Sequence, residues 1–304
     1  TIFPHNIGLG AANNANLMYQ IGTVTAKELL ATGLDWTFAP TIAVVRDDRW
    51  GRTYESYSED PAIVREYAGY LVEGIQGKLS DNTFLDEDHL IATAKHFIGD
   101  GGTIDGRDQG DNISSEEDLR DIQGAGYPVA INRGVQSVMA SFNSWHGRKM
   151  HDYKELLDDV LVDQMGFDGF VIGDWNGHGQ VEGCTNVSCA SSFNNGLDMF
   201  MAPDSWRGLY LNTLAQVESG EISMARLDQA IGRILRVKIR AGLFEAGLPS
   251  ERKYAGRFDL LAAPEHRALA RKAVRQSLVL IKNANQLLPL SPSANILVAG
   301  DGAD

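Results

Sequence analysis

Apolar positions along the chain fall into two kinds of stretch that take turns. From Ala12 to Thr32, Leu17, Ile21, Val24, Leu29 and Leu30 recur near a 3.6-residue period, and Gly33 follows as a stop, which predicts a helix. The run Trp36–Pro40 is short and continuously apolar, as a strand buried on both faces would be. The spacing predicts further helices over Pro61–Gln76, Ser115–Asn132, Tyr153–Met165, Ser205–Ser219 and Ser223–Ala241. Between them, Leu90–Phe97, Val135–Phe142, Asp168–Gly173 and Leu197–Ala202 read as strands. Pro61 sits where a first helical turn tolerates proline.

Helix and strand alternating in this way give βαβ units and a parallel sheet, an α/β fold. Polar residues gather just after the strand segments: Arg46–Arg52 after the first, Lys95 and His96 at the second, Asn143–His146 after the third, Asp174 and Trp175 after the fourth, Asp204 after the fifth. A (β/α)8 barrel builds its active site from several strand ends on one face, so this distribution favours a barrel over an open sheet. No strand-to-helix turn has the glycine spacing of a dinucleotide or P-loop site; Gly99–Gly102 is glycine-rich without it.

The pattern changes near the end. Arg271–Asn283 reads as one more helix or extended segment, and Leu287–Pro292 as a linker that neither proline lets continue as helix. Ile296–Gly300 then looks like a new strand. The expected organisation is a catalytic barrel over 1–283, a linker over 284–294 and the first strand of a second α/β domain over 295–304. The chain opens on Thr1 without a basic-then-apolar leader and closes on Asp304, so it reads as part of a longer polypeptide.

Composition narrows the function. The 304 residues carry 27 Lys+Arg against 40 Asp+Glu, a net charge of −13. A phosphate backbone or an anionic membrane surface needs the opposite balance, so neither is expected as partner. No run approaches the ~18 apolar residues of a membrane span. The 7 His are scattered, with no H-E-x-x-H helix or Cys/His cluster, so no metal or other cofactor is expected. There is no G-x-S-x-G elbow. Cys184 and Cys189 stand in one short segment; a loop disulfide, two free thiols and a metal pair with His178 nearby all remain open.

Three places hold candidate chemistry. Phe170–Ile172 with Gly173 delivers Asp174 at a strand end, directly before Trp175. A carboxylate beside an indole suits sugar chemistry, the ring packing on a pyranose face and the carboxylate attacking the anomeric carbon. The competing reading is an Asp that caps the next helix. Lys95 and His96 close an apolar strand, where a lysine is costly unless it meets an anion or ligand hydroxyls. They are either a pair of donors to a ligand or a lysine paired with a structural carboxylate. Arg46, Asp47, Asp48, Arg49, Trp50 and Arg52, with Glu55, Glu59 and Asp60 following, form either a salt-bridge cluster or a guanidinium fork for hydroxyls or a carboxylate, with at most one arginine on substrate.

These segments together resemble glycoside hydrolase family 3, nearest its β-glucosidase and exo-β-glucan glucohydrolase branch. The resemblance rests on Thr1–Gly10, Arg49–Asp60, Ala94–Phe97, Gly169–Trp175 and Ala273–Asn283 with Leu287–Leu290, in family order over nearly the whole chain. It implies retaining, exo-acting hydrolysis of β-linked glucosides or glucan oligosaccharides, with Asp174 as nucleophile. Arg52, Lys95 and His96 match residues that hold the terminal glucosyl unit, and Trp175 an aromatic wall at the site mouth. Phe142 stands where the family's glucosidases often have Tyr, which removes a hydroxyl near the nucleophile. The family's first barrel strand precedes the segment matched by Thr1, so the barrel is expected to lack it here. In that branch the acid/base glutamate comes from the second domain, hence from outside this chain. The family's N-acetylhexosaminidase branch uses a loop histidine after Lys-His-Phe-Pro-Gly; here the segment runs Lys95-His96-Phe97-Ile98-Gly99 and lacks both the proline and that histidine. The alternatives are a β-xylosidase or β-N-acetylglucosaminidase of the same family, or a non-catalytic sugar-binding barrel. A polysaccharide substrate and the cysteine pair favour a periplasmic or secreted location.

Overall fold

In the computed structural model, which describes residues 1–302, the chain begins with α1 (Asn6–Ala12) and α2 (Ala15–Ala31). The Asn14 side chain accepts the Leu17 N–H at 3.0 Å and so caps α2. Leu17, Met18, Ile21 and Val24 turn inward as the period requires. Helix α3 (Pro61–Gln76) spans the predicted residues, with Asp60 capping through the Ala62 N–H at 2.8 Å. α2 and α3 touch backbone to backbone at Gly22 and Gly74. A Cβ on Gly74 would lie 2.3 Å from the Tyr19 carbonyl oxygen, so only glycine allows this approach. Tyr67 of α3 ties the start together, donating to the Leu9 carbonyl at 2.9 Å and accepting the Asn14 N–H at 2.8 Å.

Strand β1 (Thr93–Phe97) leads to β2 (Asp111–Asn112) and the short α4 (Glu116–Asp118), which runs on as a π-helical stretch, Leu119–Gln123. α5 (Tyr127–Asn132) precedes β3 (Ser137–Ala140), then β4 (Ser144–Trp145) and β5 (Arg148–Lys149). A second π-helical stretch, Glu155–Gln164, occupies the place predicted for a helix over Tyr153–Met165. β6 (Phe170–Ile172), α6 (Ala190–Asn194), α7 (Trp206–Glu218), α8 (Met224–Arg240) and α9 (Pro264–Gln276) complete the order.

β1, β3 and β6 form a parallel three-stranded sheet in that order; β2, β4 and β5 form a smaller mixed one. Single parallel bridges extend the larger row, Trp36 to Ile91 and Thr41 to Lys95 on one side, Ile172 to Met199 on the other. The larger row is thus parallel, in chain order, and interleaved with helices. The hydrogen bonding does not close it into the expected (β/α)8-type barrel, short of its first strand: among the described residues neither sheet exceeds three strands. Two of the predicted strands are reduced to bridges for identifiable reasons. Pro40 has no N–H to give to a ladder. At the other edge the Asp198 carboxylate, in place of a carbonyl, accepts the Val171 N–H at 3.0 Å.

The core lies between the parallel row and the helices, with Ile42, Val64, Leu71, Val72, Ala92, Ala94, Val138 and Val171 all buried. Gln76 staples the strand starts from α3. Its Oε1 accepts the Ala92 N–H at 2.9 Å and the Gln136 N–H at 3.1 Å, and its amide donates to the Gly134 carbonyl at 2.7 Å.

The C-terminal expectations change. The helix runs Pro264–Gln276, so it covers only the start of the Arg271–Asn283 segment, and 278–282 is exposed non-helical chain. Ile296–Gly300 is not a strand. It finds no partner strand among the described residues, and Ile296, Leu297 and Val298 stay exposed. Ala303 and Asp304, the end of the expected second-domain strand, lie outside the described residues.

Candidate active site

The larger sheet delivers its polar residues at the C-terminal ends of its strands. β1 ends in Lys95, His96 and Phe97, with a register slip between Lys95 and Phe97. The Lys95–His96 and Phe97–Ile98 peptide bonds are cis. β3 is followed by Ser141 and Phe142, and β6 by Gly173 and Asp174. The Arg46–Asp60 loop crosses the same end, where the Arg46 N–H bonds the Gly101 carbonyl at 2.8 Å.

His96 is the centre of the cluster and only 3% exposed. Its Nδ1 lies 2.8 Å from Asp100 Oδ2, and its Nε2 lies 3.1 Å from an Arg52 nitrogen and 3.6 Å from Asp174 Oδ2. A carboxylate only accepts and a guanidinium only donates, so these two contacts fix the tautomer. The proton is on Nδ1, and Nε2 accepts from Arg52. His96 Nε2 is therefore an acceptor here, whereas one of the two readings made it a second donor beside Lys95.

Arg52 is held by two near-parallel bonds to Glu55, at 2.8 and 2.9 Å. Burial works against the Glu55 charge, but these bonds outweigh it and hold the carboxyl below its usual range. The other arginines of the loop are engaged elsewhere: Arg49 with Asp47 and Asp105, Arg46 with the Glu59 carbonyl. The salt-bridge reading of the loop is thus realised, and the Arg52 guanidinium reaches His96 at the strand ends.

The Lys95 ammonium makes no hydrogen bond or ion pair within the described residues, so the structural-pair reading does not hold. Burial pushes its ammonium down from the usual lysine range, while Glu55, Asp174 and Asp100 pull it back up. Its three donors have no protein acceptor among the described residues.

Asp174 divides its carboxylate between two directions. Oδ1 accepts the Trp175 N–H at 2.7 Å, and Oδ2 faces His96. It does not cap the following 3₁₀ turn, Gly177–Gln180, where the cap position is Asn176. Its own N–H donates to His151 Nε2 at 2.8 Å. Trp175 is 57% exposed, on the solvent side of Asp174. Phe142 reaches the site through His151, their ring centroids 5.9 Å apart, and its carbonyl accepts from Lys149 at 2.8 Å. Cys184 and Cys189 are joined as a disulfide in the loop after this strand end.

The structure thus gathers Arg52, Lys95, His96 and Asp174 at one end of the row, with Trp175 and Phe142 flanking. Three contributors were missed in the sequence. Asp100 stands four residues after His96 and could have been found as its partner. His151 follows the lysine–methionine pair at 149–150 without any distinguishing signal. Asp198, a lone acid in the apolar run Leu197–Met201, is 4% exposed and held by Arg226 at 2.9 Å and Arg233 at 3.3 Å. Burial nonetheless raises its carboxyl above the usual range, against both guanidiniums.

Residues 1–237 match the profile of the glycosyl hydrolase family 3 N terminal domain. The chain is 32% identical over 314 residues to a periplasmic β-glucosidase from Salmonella typhimurium, covering 100% of this chain and 40% of that protein. It is 32% identical over 305 residues to a β-xylosidase from Formosa agariphila, covering 96% of this chain and 42% of that one. Among solved structures, an exo-1,3/1,4-β-glucanase from a Pseudoalteromonas species superposes with a TM-score of 0.97 at 56% identity, over 99% of this chain and 38% of that chain. The 304 residues therefore span well under half the length of these relatives, and on the profile match the chain belongs to glycosyl hydrolase family 3.

Proposed function

We propose that the protein to which this chain belongs is a retaining, exo-acting β-glucoside or β-glucan hydrolase that releases terminal glucose. The observation that carries the reading is the cluster of Asp174, His96, Arg52 and the unengaged Lys95 at one end of the parallel strands. Asp174 attacks the anomeric carbon, its C–O bond forming as the bond to the leaving oxygen breaks. Water then attacks the same carbon, giving its proton to the carboxylate that first protonated the leaving oxygen, and Asp174 leaves as a carboxylate. Lys95 and Arg52 donate to hydroxyls of the glucosyl unit, a sugar O–H replaces Arg52 as the donor to His96 Nε2, and Trp175 packs on a sugar face. Phe142 closes the back of the pocket without the hydroxyl a Tyr would bring.

The leaving oxygen needs a proton from a second carboxyl about 5–5.5 Å away. We assign that acid/base to a glutamate of a second α/β domain following 284–294, outside this chain. The parallel row we take to be part of a (β/α)8 barrel, supported by its chain-order strands with helices between them. No cofactor enters this chemistry. The Cys184–Cys189 disulfide supports a periplasmic or secreted location.

The 56% identity to an exo-1,3/1,4-β-glucanase favours glucosides, and the β-xylosidase relative makes xylosides the second reading. Comparing the full-length protein on aryl β-glucoside, β-xyloside and β-N-acetylglucosaminide separates them. NMR of the first-formed sugar tests retention: the β anomer is expected, and the α anomer appearing first would contradict the mechanism.

A further inference from the structure

Asp174 sits where the β6 segment leaves its sheet. The Gly173 N–H just before it bonds the Met199 carbonyl and the Asn176 N–H two residues after it bonds the Met201 carbonyl, both at 2.9 Å, while the Trp175 N–H turns back to Asp174 Oδ1. The Asp174 N–H itself donates to no carbonyl. Its acceptor is His151 Nε2, at 2.8 Å. His151 comes from the 3₁₀ turn Met150–Asp152, after β5, and is 1% exposed.

The ring is wedged against the turn it serves. A Cβ on Gly177 would lie 2.3 Å from the imidazole, and one on Gly173 3.2 Å from it. Glycine at both positions lets the ring reach the Asp174 N–H. The Asp174 carbonyl in turn accepts the Gly177 N–H at 2.9 Å, so ring and turn are mutually fixed. With the backbone held on this side, Oδ1 meets the Trp175 N–H and Oδ2 faces His96.

We propose that His151 is a positioning residue for Asp174: its Nε2 lone pair anchors the Asp174 peptide and thereby aims the carboxylate at the anomeric carbon. The role needs a neutral ring, since a protonated Nε2 could not accept. Burial, helped by His178, keeps the ring neutral, with a pKa lowered to about 3. The inference rests on Asp174 being the nucleophile, as proposed above.

The test compares His151→Gln, whose amide oxygen can occupy the place of Nε2, with His151→Met, which fills similar space with a poor acceptor. In the full-length protein, the rate at which a 2,4-dinitrophenyl 2-deoxy-2-fluoro-β-glucoside labels Asp174 is read beside the inhibition constant for glucose. His151→Met is expected to slow labelling by about tenfold or more, the scale of a misplaced reacting group. Its glucose affinity should hold within about twofold, and His151→Gln should recover most of the labelling rate. If His151→Met does not fold, His151→Asn, whose oxygen falls short of the Nε2 position, replaces it. Equal rates for Gln and Met (or Asn), or a parallel loss of glucose affinity and labelling, overturn the role of His151 alone. Unaltered protein that turns over substrate without label on Asp174 overturns the underlying nucleophile reading and this inference together.

Discussion

His96 Nε2 lies 3.6 Å from Asp174 Oδ2, yet it accepts its hydrogen bond from Arg52, because Asp100 has already claimed the ring proton on Nδ1. At that distance the imidazole and the carboxylate are neighbours without a bond between them. Asp174 keeps an oxygen free, and the pocket keeps an acceptor that a sugar hydroxyl can take over.

The Asp100 contact sets that arrangement, so removing it should be felt in catalysis. Asp100→Leu is expected to lower kcat/KM by about tenfold or more, following the ~1.5–3 kcal/mol of a hydrogen bond to a charged group. Asp100→Asn, whose oxygen still accepts from Nδ1, should lose much less. Steady-state kinetics on an aryl β-glucoside check this; equal losses in the two variants would contradict the tautomer assignment.

Lys95 predicts a trade between stability and activity. Its ammonium is largely buried and unpaired among the described residues, so Lys95→Met should raise Tm while kcat/KM falls by about tenfold or more, for the loss of a charged donor to the substrate. Calorimetry and kinetics on the same preparation decide. A lower Tm would mean that the lysine is satisfied within the fold.

Much of this was legible in the chain. α3 runs over Pro61–Gln76 as the period and the proline require, and β1, β3 and β6 lie inside the predicted apolar runs. Asp174, His96 and Arg52 were legible because strand-end polar residues stand out against apolar runs. The edge strands were not, because Pro40 and the Asp198 carboxylate interrupt their ladders in ways that periodicity does not register. His151 was hidden for a different reason: its role depends on Gly173 and Gly177, 22 and 26 positions away, leaving room for its ring. Ile296–Gly300 has strand composition but lacks a partner strand among the described residues, and a strand is a property of a pair.

Gln76 separates stability from chemistry. Gln76→Leu leaves the Ala92 and Gln136 N–H groups and the Gly134 carbonyl without their side-chain partner. Each unsatisfied buried group costs about 1–3 kcal/mol, so a loss of at least ~2 kcal/mol is expected by urea denaturation. Turnover per folded molecule should be unchanged, since Gln76 lies at the opposite end of the strands from Asp174. A neutral effect on stability would contradict the stapling role.

His151 gives the fold a defined acid sensitivity. Its pKa falls from 6.5 to about 3 on folding, because burial and the nearby His178, Lys149 and His96 disfavour the charge more than the Ser141 backbone favours it. Between those values the unfolded chain binds a proton that the folded one refuses. The sign is therefore a stability that is whole above about pH 6.5 and declines as pH falls toward about 3, by at most ~1.4 kcal/mol per pH unit from this group. Urea midpoints at pH 7 and 4.5 should show His151→Gln losing less stability than the unaltered protein. The same loss in both would contradict it.

The nucleophile is the centre of the account, and trapping tests it most directly. The full-length protein is incubated with a 2-deoxy-2-fluoro-β-glucoside bearing a good leaving group, digested, and the modified peptide mapped by mass spectrometry. One added fluoroglucosyl group is expected, on Asp174. Label on any other residue, or continued turnover with none, would contradict it.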